Sequence, residues 1–414
     1  MRVLALGGCG GMGKIAVETA VAYSEITEII VADRDLGAAE RFAANFDERV
    51  TAIQVDAFDS TALDMLMLSC DVVMATIGPY YVFGNLVLES AIRSKTHYID
   101  ICDDPEPTLS MLKLHEQAKL AGITAIIGAG ASPGVSNMLA LKAMELLEST
   151  EQLYTLWGAG GPINESTGDV DYKNEKGEPS AATVHLIQQI TGEIDVVENG
   201  KLCAGRPLTK IKLHYPGIGI DTCLSVGHPE PITFSHYYPN IRTSYNMTNM
   251  PEYLNHVAIN AAKNVRPGNK DDIYKAATTM ANSMSDDGIS FMNIIRYFYF
   301  LLKDKSRTFF PSMAALAIGK DKSSGKRVSV GAHLEADMKT DDMAHSTCVP
   351  TAIVLRMLAR GDIQQRGVLA PEACIDPDKF FDELIPYMNI KRGFSSSNCL
   401  RVVKDNKVIA EKLN

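Results

Sequence analysis

Arg2-Val3-Leu4-Ala5-Leu6-Gly7-Gly8-Cys9-Gly10-Gly11-Met12-Gly13 is an apolar run that ends in a glycine-rich turn, and helical spacing follows at Ile15, Ala16, Thr19 and Ala20. Strand, glycine turn and helix in that order open a dinucleotide-binding unit. Gly8, Gly10 and Gly13 fit G-x-G-x-x-G. The first glycine permits the tight turn. The second lets backbone approach a diphosphate with no Cβ between them, and the third lets helix pack closely on strand. Gly11 and Met12 complete the loop, whose helix N-terminus offers N–H groups to phosphate charge.

The next strand gives the motif weight. This second apolar run, Ile29 to Ala32, ends at Asp33, about 20 residues past the last glycine, where an acidic side chain accepts hydrogen bonds from the adenosine ribose. Asp33 favours NAD, because a carboxylate repels a 2′-phosphate. Arg34 can stack on adenine or pair with that phosphate, which leaves NADP open. A third strand, Val50 to Val55, leads to Asp56, which either sits by the adenine or caps the helix beginning near Ser60. A fourth, Asp71 to Thr76, runs into Ile77-Gly78-Pro79-Tyr80-Tyr81 at the nicotinamide end of such a sheet. Gly78, Pro79 and Tyr80 are candidate cofactor contacts and Tyr81 a candidate substrate contact; the alternative for both tyrosines is core packing. Leu86 to Arg93 reads as a helix, His97 to Ile101 as a fifth strand, Pro107 to Ala121 as a helix and Thr124 to Gly128 as a sixth strand. This alternation predicts an α/β fold with a Rossmann doubly wound parallel sheet over residues 1–137.

The chain has 414 residues, too many for one ordinary core, so a second domain is expected. A net charge of −10 argues against nucleic acid or an anionic membrane as partner, since phosphate contacts need a basic face. The eight cysteines form no CxxC pair and there is no HExxH, so neither a metal site nor a disulfide framework is expected. No run of about 18 apolar residues predicts a membrane span. Leu6-Gly7-Gly8-Cys9 has the look of a lipoprotein cleavage box, but too few residues precede it for a signal peptide. A cytoplasmic protein with reduced thiols is the expectation.

Four stretches resemble the saccharopine dehydrogenase-like oxidoreductases, a group that includes saccharopine reductase, lysine 6-dehydrogenase and carboxynorspermidine dehydrogenase. They are the Gly8 to Gly13 loop, Asp71-Val72-Val73 with Gly78-Pro79-Tyr80, His97-Tyr98-Ile99-Asp100, and Gly130-Ala131-Ser132-Pro133-Gly134-Val135-Ser136-Asn137. The last is the most specific. Gly227-His228-Pro229-Glu230-Pro231 and Gly367-Val368-Leu369-Ala370-Pro371-Glu372 are further signatures. The resemblance implies a Rossmann domain completed by C-terminal chain, with an inserted α+β domain for substrate and dimerisation. The expected boundaries are 1–137, 138–345 and a returning segment 346–414. It also implies hydride transfer between a nicotinamide and an amine or imine carbon of an amino acid or polyamine-like substrate, in a homodimer. Thr347-Cys348-Val349-Pro350 departs from the Thr-Gly-x-Pro of many relatives. Insertions around Asn164 to Lys176 and Tyr238 to Asp287 point, like it, to a different substrate.

Past Met138 the rhythm changes. Leu139 to Leu147 continues as a helix, Leu153 to Trp157 reads as a strand, and Lys201 to His214 as antiparallel strands. Phe291 to Leu302 reads as a helix and Leu316 to Val330 as strand, turn, strand. Asn164 to Glu178 is a mobile lid or an ordinary surface loop.

Hydride transfer needs orientation and exclusion of water more than dedicated side chains. A reaction at a C–N bond also needs a proton donor or acceptor at nitrogen. Asp103 and Asp104 follow the fifth strand and can attract an ammonium group; helix capping and solvation are the alternative. His228 is the rival acid–base candidate, with Glu230 beside it as a substrate contact. Cys102 faces the site or packs in the core. Ser132, Gly134 and Asn137 present donors to cofactor or substrate, or hold their own turn together. A carbonyl reductase on the same scaffold and a non-catalytic dinucleotide sensor are the other readings, and fold alone does not separate them.

Overall fold

A computed structural model of the chain describes residues 1–158, 160–161, 172–174, 176–284, 291–340, 342–389 and 399–413. It divides into two units, Met1–Met138 with Ala336–Ser396, and Leu139–Glu335 with Ser397–Asn414.

Strand β1 (Arg2–Leu6) is buried along almost its whole length, as expected of a central parallel strand covered on both faces. It pairs in parallel with β2 (Glu28–Asp33) on one side and β4 (Val72–Ala75) on the other. Together with β3 (Val50–Gln54), β5 (His97–Asp100), β6 (Thr124–Ile126) and the strand Gly367–Leu369, they form an all-parallel sheet. Its order is 367–369, β6, β5, β4, β1, β2, β3. The chain reverses direction across the sheet between β1 and β4, and ligands of such sheets bind outside the strand carboxyl ends at that switch.

Helix α1 (Gly11–Ala20) turns Gly13, Ala16, Val17 and Ala20 inward and packs on the later helix Met343–Ala359. Helices α2 (Leu36–Ala43) and α3 (Ser60–Met67) start at Asp35 and Asp59, whose carboxylates accept the amides of Ala38 and Ala62. An N-cap aspartate contributes about 1 kcal/mol. Asp59→Ala should therefore lower the free energy of unfolding by about that amount in urea titration, and an unchanged midpoint would show that water replaces the cap. Helix α4 (Tyr80–Ser94) is longer than the sequence suggested. The single helix expected over Pro107 to Ala121 is two, α5 (Pro105–Leu112) and α6 (His115–Ala121). The chain leaves helical geometry at Leu114, which sits at φ −84° and ψ 1°.

The second unit begins within α7 (Val135–Met144), which ends before Leu147. Its sheet is mixed. The strands are β7 (Leu147–Gly158), β8 (Ile194–Glu198), β9 (Lys201–Gly205), β10 (Lys210–Tyr215), β11 (Gly219–Val226), β12 (Thr243–Asn249), β13 (Met313–Asp321) and β14 (Arg327–Leu334). β7 and β12 run parallel; the other named pairs are antiparallel. β9 and β10, neighbours in sequence, do not pair with each other: β9 pairs with β8, and β10 with β11. One face packs Tyr154, Leu156, Leu213, Tyr245, Met247 and Leu316 into a core.

The stretch 346–414, expected to return whole to the first domain, divides instead. As far as Asn389, the last described residue before 399, it belongs to the unit of the parallel sheet. Beyond that, Leu400–Asp405 pairs with β14 and Ala410–Lys412 with β10. The physical reason is edge satisfaction, since both strands supply backbone partners to edges that would otherwise be bare. Of the lid expected over Asn164 to Glu178, residues 164–171 and 175 lie outside the described residues.

Candidate active site

The Gly8 to Gly13 loop is shaped by what a Cβ would meet. At Gly13 it would lie 2.2 Å from the Gly7 carbonyl oxygen and 2.7 Å from Gly8 Cα, so that glycine serves helix-to-strand contact. At Gly8 it would meet Ala5 at 2.8 Å. The outer residues differ. A Cβ on Gly10 meets one neighbour, the Gly7 oxygen at 3.2 Å, and one on Gly11 meets none of the described residues within 4 Å. The loop is thus tight on its inner side and open on its outer side. There the first-turn amides of α1, at Gly11, Met12 and Gly13, have no carbonyl of a preceding turn to bond. An open, Cβ-free surface of backbone N–H groups at a helix N-terminus suits a diphosphate.

Asp33 ends β2 beside this loop, half-buried. The Cys9 thiol donates to its Oδ2 at 3.1 Å and the Asp35 amide to its Oδ1 at 3.1 Å. Burial first, then the Asp33 carboxylate, pushes the Cys9 thiol up to about 11, so it remains a protonated donor. Arg34 is exposed. Asp56 is exposed too; it accepts the Phe58 amide at 3.0 Å and closes the turn before α3, while Asp59 is the cap.

Gly78 and Pro79 are exposed at the end of β4 and Tyr81 is 45% exposed. Tyr80 corrects the expectation for it. Its ring lies in the core of the first unit, and its hydroxyl donates to the Ala75 oxygen at 2.8 Å and accepts from the Ile101 amide. A buried phenol with both bonds made cannot stack on a nicotinamide. As the first residue of α4, its side chain turns back onto the sheet.

Asp103 and Asp104 follow β5 as expected, half-buried and 8% exposed respectively. Asp104 holds the N-cap position of α5, yet its side chain makes no capping bond there. Cys102 is fully buried, and burial pushes its thiol well above the ordinary range, so it is core and not a reactive group. Asp100, quoted in a signature stretch but given no role by sequence reasoning, closes β5. Its carboxylate is wholly buried and accepts the Tyr98 hydroxyl at 2.7 Å, the Cys102 amide at 2.9 Å and the Gly128 amide at 2.7 Å. Burial raises its pKa to about 6, against the opposing pull of those three donors.

The turn after β6 is built from within. At Gly134, φ is +127° and a Cβ would fall 1.9 Å from the Gly130 oxygen. Asn137, fully buried, accepts the Gly134 amide and the Ser136 hydroxyl on Oδ1 and donates through Nδ2 to Glu372 at 2.7 Å. The Asn137 amide is therefore spent inside the fold and not offered to a ligand, which corrects the substrate role expected of it. Two signature stretches far apart in sequence, 130–137 and 367–372, are clasped by that one bond.

In the second unit, His228 is 4% exposed and Glu230 fully buried. His228 Nδ1 lies 3.4 Å from Glu230 Oε2, and the Gln189 amide donates to Nε2. The Trp157 and His185 rings lie 6.0 and 5.8 Å from the imidazole, centroid to centroid. Trp157 is oriented by its Nε1 bond to Asn246 on β12 at 2.9 Å. The structure thus brings together the two residues expected from the His-Pro-Glu turn and adds Gln189, His185 and Trp157, which no motif signalled.

Residues 3–126 match the family model described as Saccharopine dehydrogenase NADP binding domain, and residues 130–389 match Saccharopine dehydrogenase C-terminal domain. Among curated proteins, the chain is similar to saccharopine dehydrogenase [NADP(+), L-glutamate-forming] of Pyricularia oryzae, 33% identical over 118 residues, 28% of this chain and 25% of that relative. The chain thus matches about a quarter of that relative's length. It is also similar to carboxynorspermidine synthase of Vibrio alginolyticus, 23% identical over 93% of this chain and 94% of the relative. Among solved structures, apo saccharopine dehydrogenase (L-Glu forming) from Saccharomyces cerevisiae superposes with a TM-score of 0.60 at 18% identity, covering 97% of this chain and 99% of that one. This last is a likeness of fold.

Proposed function

The chain belongs to the saccharopine dehydrogenase family, and from that premise we propose that it is an NAD(P)-dependent oxidoreductase acting at the C–N carbon of an amino acid or polyamine-like amine. The observation that carries the reading is the open, Cβ-free outer face of the loop at Gly10 and Gly11, beside the Asp33 carboxylate. When bound, the nicotinamide supplies or accepts the hydride. The chain's own residues do the rest. The amides of Gly11, Met12 and Gly13 hold the diphosphate, Asp33 takes the ribose, and Gly78 and Pro79 border the nicotinamide end. Asp103 and Asp104 attract a cationic nitrogen and carry the proton that a C–N reaction needs; His228, with Glu230 Oε2 3.4 Å from its Nδ1, is the rival acid–base group of the second unit. Tyr81 and Ser132 are the remaining substrate-side candidates; the Gly134 amide, bonded to Asn137 Oδ1 within the turn, is spent as the Asn137 amide is, which corrects the substrate role expected of Gly134.

The names of the relatives support an amine substrate, since one is a saccharopine dehydrogenase and another a carboxynorspermidine synthase. A cytoplasmic protein with reduced thiols remains the reading of the cysteine spacing in the sequence, which holds no CxxC pair. Among the described residues no helix is long and apolar enough to cross a membrane. A homodimer follows from the family resemblance.

The test is a substrate screen followed at the absorbance of the reduced nicotinamide. Lysine, saccharopine, carboxynorspermidine and related amines are offered with oxidised cofactor, and aldehyde–amine pairs with reduced cofactor. Turnover of at least one C–N substrate is expected. Turnover confined to simple alcohols and aldehydes would replace this reading with a carbonyl reductase.

A further inference from the structure

Asp33 is held from two sides. Its Oδ2 accepts the Cys9 thiol, the residue between the first two motif glycines, and its Oδ1 accepts the Asp35 amide. The backbone beneath it is pinned as well, since the Asp33 carbonyl accepts the Val55 amide at 3.0 Å. A carboxylate oxygen that accepts one bond still has a lone pair for another. The two oxygens are thus fixed in direction with acceptor capacity left over, which suits the vicinal hydroxyls of an adenosine ribose. A 2′-phosphate at the same place sets a doubly charged anion against a carboxylate.

We infer that Cys9 is a positioning residue that aims the Asp33 carboxylate at the ribose hydroxyls of an unphosphorylated adenosine, and that this chain thereby selects NAD over NADP. The inference rests on the proposed dinucleotide site and adds its specificity. It sets this chain apart from the NADP in the description of its domain model, which is a property of the family; the Cys9–Asp33 bond belongs to these residues. The thiol keeps its proton through the physiological range because burial and Asp33 both raise it. The competing group is Arg34, exposed one residue further on and able to pair with a 2′-phosphate. Its backbone is fixed by the Gln54 side chain, which donates to the Arg34 oxygen at 2.9 Å.

The experiment titrates the full chain with NADH and with NADPH, reading nucleotide fluorescence, and takes the ratio of the two dissociation constants. The wild type should bind NADH at least about tenfold more tightly, the scale of one like-charge contact. Asp33→Ala should bring the ratio close to one. Cys9→Ala should lower it by about threefold or more, the scale of one hydrogen bond from a weak donor, with thermal unfolding unchanged. Cys9→Ser, which keeps a donor, should restore it. A ratio unmoved by Cys9→Ala, or a wild type that binds NADPH as tightly as NADH, overturns the inference and leaves the proposed function standing. Failure of both nucleotides to bind overturns the proposed function with it.

Discussion

Gly10→Val should leave the protein folded and weaken NADH and NADPH alike by at least about a hundredfold, since displacing a diphosphate from two charge-assisted bonds removes roughly 3–6 kcal/mol. The fold should survive because a Cβ at Gly10 has one close neighbour, the Gly7 oxygen at 3.2 Å, and the backbone there is extended at φ −74° and ψ 171°, which valine adopts. Binding should fail because the branched side chain fills the space where the phosphates approach the loop. Gly13→Ala gives the opposite lesson. Its methyl group would sit 2.2 Å from the Gly7 oxygen, so fold and binding fail together and nothing is learned about the ligand. The measurement is a fluorescence titration of each reduced nucleotide, paired with thermal unfolding. Wild-type affinity in a normally folded Gly10→Val protein would mean that the phosphates lie elsewhere.

What could be read in advance depends on how far apart the interacting residues are. β1, β2 and β4 are buried on both faces, so they read as continuous apolar runs, and the glycine loop sits directly between β1 and its helix. The second sheet was harder. β7 pairs in parallel with β12, almost a hundred residues on, and β9 ignores the strand that comes after it, so local alternation carried no information about neighbours. Individual site residues divide in the same manner. Asp33 was legible because its distance from the glycine loop is set by the fold. The Cys9 thiol that holds it was not, since the two are 24 residues apart and meet only through sheet pairing. Gln189 reaches His228 across 39 residues. Tyr80 and Asn137 sit in stretches with the look of binding motifs, but burial turns both inward, and burial is decided by the packing of the whole unit. Asp100 shows the limit most clearly: an aspartate at a strand end reads the same whether it faces water or three buried donors.

That buried carboxylate leads to the second large effect. Asp100→Ala should destabilise the first unit by roughly 3–5 kcal/mol, the range for removing one member of a buried charged network. The variant leaves the Cys102 and Gly128 amides and the Tyr98 hydroxyl without their acceptor, at the carboxyl ends of β5 and β6. Asp100→Asn is milder, because its single oxygen can take both amides while its NH2 donates to the Tyr98 oxygen. The two variants together separate loss of the acceptor from loss of charge. The pH dependence has a definite sign. Burial raises the folded pKa from the ordinary 3.8 to about 6, so between those values the folded state binds more protons than the unfolded chain. This group's contribution to stability therefore falls as pH rises through that window and improves as pH drops from 6 towards 4. Surface carboxylates held low by cations, such as Asp64 beside Arg93, pull the other way, so the readout is the difference between wild type and Asp100→Asn. Denaturant unfolding at pH 4.5 and pH 7.5 should show wild type gaining on the asparagine variant at the lower pH. A difference that stays flat would mean that the three donors fully offset the cost of burying the charge, and that Asp100 holds the strand ends as an ordinary low-pKa carboxylate.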